Sequence, residues 1–352
     1  MAMNPLPQED LYSICDQAAA MWSELRGGKI FLTGGTGFFG CWLVESFLAA
    51  NHRFDLNAEL TVLTRSPERF LEKCPHLVGK TALRLLRGDV RTFAFPDGQF
   101  PHVIHAATET SPKPNKERPL ESLSTIVQGT QRTLEFAATH GTKKFLFISS
   151  GAVYGPQPES ISHIIEDYPG APAAIDPGTV YANGKRTAEL MCVLYADSME
   201  IKIARCFAFV GPHLPLNAHF AIGNFIEDAM RGGPIRVNGD GTPKRSYLYA
   251  SDLVVWLWTM LFNAPSKVAF NVGSDEALSI RDLAETVAAA IRPGATVEVA
   301  RQPIPGSPLL QYVPSVDRAW SQLRLKVNIP LQEAIRRTAA WYSMKGHTSS
   351  NE

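Results

Sequence analysis

The stretch Thr33-Gly34-Gly35-Thr36-Gly37-Phe38-Phe39-Gly40 constrains the fold of this chain more than any other. Before it stands Lys29-Ile30-Phe31-Leu32, a short apolar run with the pattern of a buried strand. After it, Cys41-Trp42-Leu43-Val44-Glu45-Ser46-Phe47-Leu48 repeats its apolar residues at helical spacing. Glycines at 34, 37 and 40 permit a tight turn, a close approach of backbone to a pyrophosphate, and close contact of helix with strand. The helix start adds free N–H groups and a positive dipole end. Gly34, Thr36, Gly37, Phe38, Phe39 and Gly40 therefore read as a dinucleotide-binding turn. Ordinary turns also collect glycine, but the flanking strand and helix favour the dinucleotide.

The remaining chain agrees with a large α/β protein. Its 352 residues exceed the roughly 250 that one domain usually holds, so two lobes are expected. Thirty-four basic residues balance 34 acidic ones, which removes the electrostatic argument for nucleic-acid or membrane-surface binding. The five cysteines form no CxxC pair and no metal-ligand spacing. They read as reduced thiols of a cytoplasmic protein, and no metal is expected. The most apolar stretch, near 251–262, falls short of the ~18–20 residues that span a bilayer. A core helix capped by Ser251 is expected there.

Taken in order, residues 1–28 form a helical extension with Leu11, Ile14, Ala18, Met21, Trp22 and Leu25 on one face. Strands follow at 59–64, 82–87, 102–105, 144–149 and 201–206, separated by helical patterns that include 119–139 and 180–198. This alternation predicts a Rossmann-like, doubly wound parallel sheet over 29–210, with ligands at the carboxyl ends of its strands. The proline-rich segment 156–177 reads as a loop over the site. Residues 211–345 read mainly as a smaller α/β substrate lobe, with some segments returning to the first domain.

Tyr181-Ala182-Asn183-Gly184-Lys185 opens one of the helices and places Tyr181 and Lys185 on one face. An ammonium beneath a phenol lowers its pKa from about 10 towards the working range of a base. Lys185 can also hold a cofactor ribose. Just after the fifth strand stands Ser149-Ser150-Gly151-Ala152-Val153-Tyr154-Gly155, in which Ser150 is assigned to the substrate oxygen that Tyr181 deprotonates.

With these elements in this order, the chain resembles the extended short-chain dehydrogenase/reductases, specifically the nucleotide-sugar epimerases and dehydratases. The shared motifs include His-Ala-Ala at 105–107, Gly129-Thr130, Val210-Gly211-Pro212, Gly239-Asp240-Gly241, Arg245 and Asn271-Val272-Gly273-Ser274. The resemblance implies that Asp89 and Val90 flank the adenine and that Ala106 and Ala107 lie at the cofactor phosphates or ribose. Arg245 would grip the diphosphate of the sugar substrate, with Arg205 and Asn224 in the same pocket. A two-pronged guanidinium suits a diphosphate independently of the resemblance.

The departures from the family pattern bear on the reaction. Where 4,6-dehydratases of the family carry Asp-Glu after the hydroxyl residue, and decarboxylases keep a Glu, this chain has Gly151 and Ala152. That lacks the usual base for proton abstraction at C5. His219, in the loop after Gly211, corresponds to an acid of the keto-reductase/epimerase branch and is assigned to catalysis. The leading expectation is an epimerase acting through a transient keto sugar. A 4-keto reductase, a dehydratase with relocated groups and a non-catalytic cofactor-binding protein are the alternatives. The cofactor is NAD or NADP, with Arg65 after the second strand favouring the 2′-phosphate of NADP. A homodimer is expected through the helices 119–139 and 180–198.

Overall fold

The computed structural model describes residues 2–108, 117–218 and 220–344. Seven parallel strands form one sheet: β1 (Lys29–Thr33), β2 (Glu59–Thr64), β3 (Leu83–Arg87), β4 (His102–His105), β5 (Lys144–Ser150), β6 (Glu200–Cys206) and a last strand, Val268–Val272. From one edge the order is Val268–Val272, β6, β5, β4, β1, β2, β3, with every neighbouring pair parallel. The chain starts in the middle and reverses direction beside β1, which opens a crevice at the strand ends there.

Alternation along each strand explains the two layers of helices. In β5, Leu146 and Ile148 join one apolar cluster, whereas Phe145 and Phe147 join the other. The first cluster receives the helices Phe38–Arg53 and Ala250–Asn263, and the second receives Pro119–Thr139 and Val180–Leu194. Ala250–Asn263 is buried on nearly all sides, which accounts for its apolar run. Its start corrects the expected cap: the helix begins at Ala250 after Tyr249, and Ser251 lies buried inside the first turn.

The N-terminal extension is built into the first layer. Trp22 meets Trp258 edge-on at 5.1 Å. Asp10 accepts from the Tyr249 hydroxyl (2.6 Å) and from Arg337 (2.7 Å). The helix expected over 180–198 ends at Leu194. Beyond β6 lie short strand pairs, among them Lys244–Arg245 flanked by Leu278–Ser279 and Gln311–Tyr312. Among the described residues no helix is long and apolar enough to cross a membrane.

Candidate active site

The glycine turn shows why its residues are what they are. Gly34 has φ 75°, and a Cβ there would stand 2.5 Å from the Ala106 carbonyl. A Cβ on Gly40 would stand 2.3 Å from the Gly34 oxygen, so Gly40 lets the helix Phe38–Arg53 close on the turn. Gly37 is exposed, and a Cβ there would meet only the Gly34 oxygen, at an ordinary contact of 3.5 Å. That open side, backed by the first helical amides, fits a pyrophosphate.

From this turn a cleft of about 1410 Å³ crosses the carboxyl ends of the strands. Thr36, Gly37, Phe38 and Phe39 line it, as do Arg65 after β2, Asp89 and Val90 after β3, Ala106 and Ala107 after β4, and Ser150 at the end of β5. Tyr181, Lys185 and Arg245 complete it on the substrate side. Five separate strand ends therefore bring together most of the residues singled out in the sequence. His105, one residue before Ala106, is structural: it bonds Thr33 (2.7 Å) and Thr130 (3.0 Å), and burial takes its pKa down to about 3. Gly129 lets the helix Pro119–Thr139 approach Val90, since a Cβ there would stand 2.8 Å from Val90 Cγ1.

At the catalytic end, Ser150 Oγ accepts from the Ala152 amide (3.2 Å). Tyr181 sits beside Ser150; burial pushes its phenol up to about 12, and the Ser150 hydroxyl opposes that rise. Lys185 is anchored to the fifth strand. Its Nζ donates to the Ile148 carbonyl (2.7 Å) and lies 4.8 Å from the Phe147 ring centre. Burial lowers its pKa to about 8. A positive charge beside the phenol would bring it back towards the working range of a base.

Two assignments require correction. Arg205 does not reach the cleft: it makes a two-pronged pair with Glu189 (3.0 and 2.8 Å) and donates to Tyr154 (2.9 Å) and to the Glu166 carbonyl (3.0 Å). A partly buried guanidinium with its donors spent this way holds structure. Asn224, in the helix Ala221–Arg231, does not line the cleft either, although its neighbours Ala221 and Ile222 do. His219 lies outside the described residues. Its neighbour in the loop, His213, is nearly buried against Glu45 (3.4 Å) and Trp341 (4.8 Å).

Arg245 stands differently from Arg205. Its Nη1 donates to the Lys244 carbonyl (2.8 Å), its guanidinium faces Tyr247 and Tyr312, and burial lowers its pKa. A half-buried cation facing phenols across a cleft suits an anionic ligand. Sequence reasoning missed Arg91, which holds both Asp89 oxygens (2.8 and 2.9 Å) and keeps that carboxyl below its usual range. It also missed Phe207 and Tyr312, which line the cleft with ring centres 4.6 Å apart. Tyr312 enters through the pairing of Gln311–Tyr312 with Lys244–Arg245, a two-residue match with no local sequence signal.

Sheet, turn and cleft define an enzyme of the Rossmann dinucleotide class. Residues 30–273 match the NAD dependent epimerase/dehydratase family, and the chain belongs to that family. It is 31% identical over 311 residues to UDP-glucuronic acid decarboxylase 1 of Arabidopsis thaliana, covering 88% of this chain and 68% of that one. UDP-glucuronic acid decarboxylase 6 of the same plant is 30% identical, covering 89% and 92%. Among solved structures, the UDP-glucose 4-epimerase of Thermus thermophilus in complex with NAD superposes with a TM-score of 0.72 at 26% identity, over 90% of this chain and 99% of that one.

Proposed function

We propose that this protein is an NAD(P)-dependent nucleotide-sugar epimerase that acts through a transient keto sugar, as a homodimer, with Tyr181 as general base. The observation that carries the reading is the meeting of Ser150 and Tyr181 in one cleft that has the glycine turn at one end and Arg245 at the other. Gly34, Thr36, Gly37, Phe38 and Phe39 would hold the cofactor pyrophosphate, and Lys185 its ribose. Arg65, with Ser66 and Arg69 beside it in the cleft, supports a 2′-phosphate and hence NADP. A bound nicotinamide dinucleotide supplies the hydride acceptor and, when oxidised, a positive charge.

Tyr181, as phenolate, takes the proton of a sugar hydroxyl while Ser150 donates to the same oxygen. Arg245 anchors the substrate diphosphate and so fixes which hydroxyl reaches Tyr181. Epimerisation requires no carboxylate after Ser150, and Gly151 and Ala152 supply none, which supports the reading. The names of the relatives favour a second reading, oxidative decarboxylation of a nucleotide uronic acid. A ketone two carbons from a carboxylate lets carbon dioxide leave after the same first oxidation, with the same Tyr181 and Ser150.

The test uses purified protein titrated with NAD and with NADP, then supplied with UDP-glucose and UDP-glucuronic acid as probes. Tyr181→Phe is expected to keep cofactor binding and lose at least ~100-fold in turnover. Near-normal turnover would remove Tyr181 from the mechanism, and much tighter NAD than NADP binding would defeat the cofactor preference.

A further inference from the structure

Two phenols converge on Ser150. Tyr181 has its role as base; Tyr312 has none so far. The Tyr312 hydroxyl lies 3.5 Å from Ser150 Oγ and 3.4 Å from the Cys206 carbonyl. Its position is enforced from several directions. Its ring lies along Phe207 at 4.6 Å, the Arg245 guanidinium stands 5.8 Å from its ring centre, and the Val313 amide next to it donates to Gln157 Oε1 (2.9 Å). The strand pair that carries it is further tied to the 156–177 loop, where the Ile164 amide donates to the Val313 carbonyl (2.9 Å). That loop thus fixes a group of the centre, although none of its residues lines the cleft.

We propose that Tyr312 is a second acid–base group of this centre, exchanging a proton with Tyr181 through the Ser150 hydroxyl. The inference rests on the reading of Tyr181 as base. In the exchange the Tyr312 O–H proton passes to Ser150 Oγ as the Ser150 proton passes to the Tyr181 phenolate. One O–H bond breaks and one forms at Ser150, no electrons change hands, and the negative charge moves from Tyr181 to Tyr312. The charge then lies beside the Arg245 guanidinium, the cation that faces Tyr312; its other titratable neighbours are Tyr181 and Cys206. Tyr181 itself faces Ser150 and Cys206. Hydrogen-bonded hydroxyls polarise one another, and the transfer requires the 3.5 Å separation to close to an ordinary O–H···O distance of about 2.7 Å. The centre gains from Tyr312 the second proton carrier that Gly151 and Ala152 do not provide.

The experiment compares wild type, Tyr312→Phe, Ser150→Ala, their double variant and Tyr181→Phe. First, tyrosine Cζ is labelled with carbon-13 and the NAD-loaded proteins are titrated by NMR. The Tyr181 signal is the one absent from Tyr181→Phe. Tyr312→Phe is expected to raise the Tyr181 midpoint by about half a unit or more, because a hydrogen-bonding phenol that favours the Tyr181 phenolate is lost. Second, Tyr312→Phe is expected to lower turnover roughly tenfold or more with cofactor affinity unchanged, and to add little to Ser150→Ala in the double variant. An unchanged Tyr181 midpoint, or losses that simply multiply in the double variant, would overturn the relay. If Tyr181→Phe removes no titrating signal and keeps turnover, the base reading itself fails, and that outcome is distinct from a failure of Tyr312 alone.

Discussion

A Cβ placed on Gly151 would stand 2.6 Å from Cζ of Phe207. Contacts that short do not occur, so residue 151 can carry no side chain while Phe207 keeps its place. The place of a side chain at position 151 is taken by an aromatic ring, and that ring in turn supports Tyr312. Gly151→Glu is therefore expected to lose about 1–3 kcal/mol of stability in urea unfolding rather than to gain dehydratase chemistry. Adding Phe207→Ala to the Gly151→Glu variant should recover folding. Gly151→Glu as stable as wild type would contradict this packing argument.

The two arginines singled out in the sequence should separate experimentally. Arg205→Met leaves the Glu189 carboxylate buried without its partner and is expected to cost about 3–5 kcal/mol in stability. Arg245→Met removes a cation that burial disfavours, so stability should hold while KM for a nucleotide sugar rises about tenfold or more. Equal stability losses in the two variants, by urea unfolding, would erase the distinction.

Lys185 supplies a pH prediction. Its folded pKa is near 8, below the ordinary lysine value of 10.5. Between those values the unfolded chain holds a proton that the folded chain has released, so folded stability rises with pH through that window; below about pH 8 both states are protonated and this contribution is flat. Relative to Lys185→Met, the wild type should gain about 2 kcal/mol between pH 7 and 10. Parallel pH profiles for the two proteins would show that burial does not act on this amine.

Much of this architecture is legible locally. The strands β1, β2 and β5 announce themselves as apolar runs of a buried parallel sheet, and the helix 119–139 is bounded to the residue because its apolar face is continuous. Tyr181 and Lys185 are legible as a helical pair, but not the partner Lys185 chooses, since the Ile148 carbonyl lies 37 residues earlier in the chain. Arg205 misleads because a guanidinium near a site looks alike in sequence whether a substrate or Glu189 will hold it. Phe207 and Tyr312 are invisible for a similar reason. Their meaning depends on a crossing between distant segments, with 162 residues separating Ser150 from Tyr312.

The proposed homodimer follows from the same helices. On Pro119–Thr139, Leu134 is fully buried against the sheet and is not available to an interface. Leu120, Leu190 and Leu194 are instead 80%, 62% and 74% exposed on Pro119–Thr139 and Val180–Leu194. Three large apolar side chains on two adjoining helices suit a second copy of the same face. Leu190→Glu with Leu194→Glu should convert a dimer to a monomer in sedimentation equilibrium, with the fold retained by circular dichroism. A wild-type monomer at micromolar concentration would reject the dimer.

The central claim is that this site oxidises and re-reduces one sugar carbon without exchanging any carbon-bound hydrogen with water. The direct measurement is turnover of an accepted nucleotide sugar in deuterium oxide, with the product examined by mass spectrometry and proton NMR. Epimerisation predicts a product of unchanged mass, inverted at C4 and free of deuterium on carbon, because the hydrogen that leaves as hydride is the one returned. Deuterium at C5 accompanied by loss of water or of carbon dioxide would contradict the account, and would identify the reaction as dehydration or decarboxylation.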